Sequence, residues 1–92
     1  VSATVAVLVR HDGEVGLQGL RTAISLALGD RPPALFLFGP ATGLLAAADG
    51  EISECVHSLT SELAVPIRVE GRDGDRGALL REAGDLALAQ VF

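Results

Sequence analysis

The stretch ALFLFGPATG, Ala34 to Gly43, decides the fold. Ala34 to Phe38 is an unbroken apolar run that ends abruptly at Gly39-Pro40. Leu35 and Leu37 are apolar, and so are Phe36 and Phe38, so a strand here needs cover on both faces. That predicts a central strand of a parallel sheet held between helix layers. Gly39 to Gly43 then falls at the carboxyl edge of the sheet, where open α/β folds place their sites.

The flanking segments fit that frame. Thr4 to Val9 is continuously apolar and rich in β-branched residues, which predicts a first strand. The opening VSATVAVLVR lacks the basic start and cleavage site of a signal peptide and reads as this strand. Leu17, Leu20, Ile24, Ala27 and Leu28 follow at helical spacing, and Gly29 is suited to the C′ position. Gly19 inside that helix costs about 1 kcal/mol against Ala, which predicts a close approach between helix and strand. Beyond the Gly39–Gly43 loop, Leu44 to Ala48 reads as a short helical turn. Asp49 reads as the cap of a second helix, with Glu51 and Glu54 in its first turn. Ile52, Val56, Leu59 and Leu63 line one face, and Val65-Pro66 ends it. Ile67 and Val69 alternate with Arg68 and Glu70, giving a less buried third strand. A polar loop, Gly71 to Asp75, leads to a short helix from Arg76 to Ala83, then to a last strand over Leu86 to Phe92. The order β-α-β-α-β-α-β predicts one domain over 1–92, a three-layer α/β/α fold with a mainly parallel, four-stranded sheet.

Composition narrows the function. At 92 residues the chain buries only about 60–65% of its unfolded surface, which favours an oligomer. Net charge is −5, against the clustered positive charge that a nucleic-acid surface needs. All seven basic residues are Arg, so a Schiff-base lysine and a P-loop lysine are excluded. The single Cys allows neither an internal disulfide nor a multi-thiolate metal site. No apolar run nears the roughly 20 residues that span a bilayer. These features predict a soluble, cytoplasmic protein with no membrane segment, no metal and no cofactor.

Three loops should share the carboxyl edge, and they supply the candidate binding residues: His11 and Asp12, Gly39 and Thr42, Arg72 and Asp73. His11 could exchange protons there with Asp12 or Asp73 orienting it, although ordinary turn residues explain the pair more simply. Gly39 to Gly43 could cradle a phosphate on its amides. It matches neither a Walker motif nor GxGxxG, and a tight loop is the preferred reading. Gly71 to Asp75 begins like a calcium loop but lacks its later ligands. Cys55 lies about 60° from the centre of the second helix's apolar stripe, at 100° per residue, which predicts a half-buried structural thiol. Glu51 and Glu54 raise its pKa instead of lowering it, and His57 points to another face of the helix.

VAVLVRHDG, GLRTAISLAL, ALFLFGPATGLL and the ending LLREAGDLALAQVF together resemble the small DsrE/DsrF/DsrH-like family of sulfur-relay proteins. The resemblance spans nearly the full length, in element order and apolar pattern. It implies the same α/β fold, a short helical stretch after the central strand, and assembly into trimers or hexamers. Relay-active members carry a cysteine just after the third strand. Here that segment is VPIRVEGRDGD, with Gly71 or Arg72 at the expected place. The resemblance therefore implies an oligomeric accessory or binding subunit, assembled with copies of itself or with other DsrE-like chains and not a catalyst on its own. Two other functions stay open: a persulfide carrier through Cys55, and a small module holding an anionic metabolite at Gly39–Thr42 with Arg72 as counter-charge.

Overall fold

The structure, a computed structural model, describes residues 3–92. Strand β1 is Val5–Val9, helix α1 Gly13–Leu28 and strand β2 Pro33–Leu37. A 3₁₀ stretch, Gly39–Ala46, leads to α2 at Gly50–His57, which widens into a π-helical turn at Ser58–Glu62. Strand β3 is Ile67–Val69, α3 is Arg76–Gly84 and β4 is Ala87–Val91. The four strands are all parallel, in the order β3-β2-β1-β4. From β1 the chain steps outward to β2 and β3, then returns across the sheet to lay β4 on the other side of β1.

Every residue of β2 is buried, as a strand apolar on both faces requires. Leu35 and Leu37 join Val7, Val9, Leu20, Leu44 and Leu59 on the side covered by α1 and α2. Phe36 and Phe38 join Ala6, Leu79 and Ala83 on the α3 side. Full burial of such a side chain stabilises by roughly 1.5–3 kcal/mol, so β2 anchors both cores.

Gly19 explains itself at the α1–β1 contact. A Cβ added there would lie 2.5 Å from Val9 Cγ2 and 3.4 Å from the Phe92 ring, so only glycine lets the helix sit this close.

Local endings differ from expectation in three places. Gly29 closes α1 with φ −93°, outside the left-handed region, and its N–H bonds back to the carbonyls of Ser25 and Leu26. The Gly39–Gly43 loop is itself the start of the 3₁₀ stretch, which Pro40 favours by presetting φ. Asp49 occupies the N-cap position of α2, yet its side chain caps nothing. Asp75 does cap: its Oδ1 accepts the Ala78 N–H at 2.7 Å at the start of α3.

Candidate functional site

The carboxyl ends of β1, β2 and β4 open into a cavity of about 410 Å³ on the α3 side of the sheet. Leu8, Phe38, Leu80 and Val91 form its apolar wall, Gly39 and Pro40 its turn, and Arg10 and Arg76 its charged rim. The strand order places it beside the β1–β4 boundary, where the chain reverses its direction of travel across the sheet. Such switch points are where parallel α/β sheets leave a crevice between loops that diverge to opposite faces.

Glu70 organises the rim. It follows β3 directly, and its Oε1 accepts the Gly39 N–H at 2.9 Å. The same carboxylate accepts from Arg76, Nε at 3.1 Å and Nη2 at 3.3 Å. The Gly39 amide first, and Arg76 second, hold the Glu70 carboxyl below the usual carboxylate range. Gly39 meets this demand at φ +55°, a conformation that strains other residues. Arg76 is thereby neutralised, while Arg10 has no carboxylate partner among the described residues. The cavity presents apolar walls and one uncompensated guanidinium.

Of the candidate binding residues, Gly39 lines this cavity, whereas His11, Asp12, Thr42, Arg72 and Asp73 do not. His11 Nδ1 is 3.1 Å from the Phe92 carbonyl oxygen, which also accepts the Arg10 N–H at 2.8 Å. His11 thus ties the β1 loop to the end of β4. Asp12 stands exposed at the N-cap of α1, where its carbonyl accepts the Gly16 N–H but its side chain makes no cap bond. Thr42 turns its hydroxyl inward, donating to the Gly39 carbonyl at 2.8 Å and closing the 3₁₀ turn.

Arg72 and Asp73 do something else. Asp73 Oδ2 accepts the Val69 N–H at 2.8 Å, and Arg72 Nη2 donates to the Ile67 carbonyl at 3.1 Å. They cover the outer edge of β3 and face each other at 3.0 Å, which leaves the cavity to Arg10 and Arg76.

Arg10, Glu70 and Arg76 escaped the sequence reading. Arg76 did leave a signal. A cation in the first turn of a helix opposes the positive end of its dipole, so it implies a tertiary carboxylate partner, here Glu70.

Cys55 sits on α2, half-buried against the core on the α1–α2 side. Burial, chiefly, pushes its thiol pKa up, with Arg21 opposing and Glu51 and Glu54 adding to the rise. It lies on the opposite face of the sheet from the cavity. No helix of the described residues is long and apolar enough to cross a membrane. Compared with protein-family models, with curated proteins and with solved structures, the chain matches none.

Proposed function

We propose that this chain is a DsrE-like binding subunit that holds a small organic anion, a carboxylate or phosphate on an apolar body, without using its thiol. One observation carries the reading: the lone thiol and the carboxyl-edge cavity lie on opposite faces of the sheet. A sulfur carrier needs an accessible thiol of lowered pKa, and Cys55 is half-buried with its pKa raised. The cavity offers the converse, a cation with no carboxylate partner among the described residues over an apolar wall. The family part of the reading is supported by the residues quoted above and by the 3₁₀ stretch that follows the central strand.

Thermal unfolding against a panel of small aromatic and aliphatic carboxylates and phosphates tests it. A ligand of this class raises Tm in the wild type and in Cys55→Ser, because binding to the folded state alone stabilises it. Arg10→Ala abolishes the shift. A stable persulfide on Cys55 after exposure to a persulfide donor, with no anion raising Tm, would overturn the proposal.

A further inference from the structure

In β4 the backbone groups of Leu88 and Val91 point away from β1, since Leu88 pairs with Ala6 and Val91 with Leu8 in a parallel ladder. No backbone or side-chain group of the described residues bonds them. Their side chains are also uncovered, Leu88 61% and Val91 41% exposed, with Leu80 of α3 beside them at 46%. An edge that is open, apolar and free of charge and proline is a template for another strand. Only a strand can satisfy both the alternating donors and acceptors and the apolar side chains.

We propose that the occupant is a second copy of this chain, joined by antiparallel β4–β4 pairing about a two-fold axis into one continuous sheet. Charge selects the self-pairing. Leu86 to Phe92 contains no charged residue, so two copies meet there without opposing the net charge of −5 that each carries. Charge also selects the direction. Asp85 stands at the start of β4 and Arg10 at its far end, exposed and in no ion pair among the described residues. Antiparallel pairing brings the Asp85 end of one copy to the Arg10 end of the other, whereas parallel pairing would set Asp85 against Asp85. The interface is isologous and closed, which prevents filaments. A single five-residue strand makes a small interface, so association is weak and depends on concentration. The pairing requires neither the cavity's ligand nor the family resemblance.

Sedimentation velocity of the full chain from roughly 1 μM to 1 mM, the range that weak interfaces occupy, tests it. The wild type shifts from monomer to dimer across that range. Val91→Pro removes an outward N–H and leaves the β1 ladder intact; Leu88→Lys puts a charge on the edge. Each raises the dissociation constant by about tenfold or more while the circular dichroism spectrum is kept. Should either variant unfold, Asp85→Arg, off the strand, still weakens the dimer, and adding Arg10→Asp to it restores association. A wild type that stays monomeric throughout overturns the proposal. So does a dimer that none of these substitutions weakens.

Discussion

β3 and β4 are the two edges of one sheet, and each has two residues whose backbone groups face outward: Ile67 and Val69 on one side, Leu88 and Val91 on the other. On β3 the chain closes its own edge. Asp73 takes the Val69 N–H, Arg72 takes the Ile67 carbonyl, and the backbone amides of both residues donate to the Val69 carbonyl at 2.9 and 3.1 Å. An ion pair, Arg68 to Glu82, adds charge beside that strand. Among the described residues β4 has none of this. Natural sheets blunt edges with short strands, charges and loops to avoid unwanted pairing, and a chain that does so on one side only has left the other available. The difference lies in polar residues after the strand, not in the apolar residues within it.

The largest test of the contrast is at the support of β4. β4 meets the rest of the molecule through β1, through α3 and through Phe92, which packs beside Gly19. Gly19→Ala places a Cβ 2.5 Å from Val9 Cγ2 and against the Phe92 ring and should cost about 1–3 kcal/mol by overpacking, read by urea unfolding. A neutral result would mean that α1 can retreat from β1, the strand on which β4 lies.

Next in size is the β3 cap. Asp73→Ala leaves the half-buried Val69 amide without its acceptor, and its Tm should fall clearly below that of the wild type. On β4, Gln90→Ala removes no bond and should stay within about 0.5 kcal/mol. Equal melting of the two variants would erase the distinction between the edges.

The smallest effect is on acidification. Asp73 is held low first by the Val69 N–H and then by Arg72, and Glu70 by the Gly39 N–H and then by Arg76. A carboxyl whose folded pKa is depressed lends stability above its unfolded pKa and loses it as pH falls through the folded value. The advantage of the wild type over Asp73→Asn and Glu70→Gln at neutral pH should therefore shrink below about pH 4. An advantage that is constant with pH would show that hydrogen bonding without charge suffices at these positions.

Much of the fold is legible in the sequence, because it depends on local period and on the double-sided run at Leu35 to Phe38. The lateral order of the strands is not. Nothing in Leu86 to Phe92 says that this strand returns beside β1, and that return creates the switch point and the cavity. The candidate site was legible only at Gly39. His11, Thr42, Arg72 and Asp73 are polar residues at the right edge of the sheet, but each satisfies a backbone group of the fold itself. Glu70 and Arg76 pair across an irregular loop, and Arg10 comes to the same rim only through the strand order, neither of which a helical or strand period reveals.

Residue-resolved amide hydrogen exchange, followed from dilute to concentrated protein, puts the two edges side by side most directly. The Val69 amide should be protected at every concentration, while those of Leu88 and Val91 exchange freely in dilute solution and become protected as the protein is concentrated. A Val69 amide that exchanges as fast as Leu88, or Leu88 and Val91 amides already protected in the dilute monomer, would contradict the account.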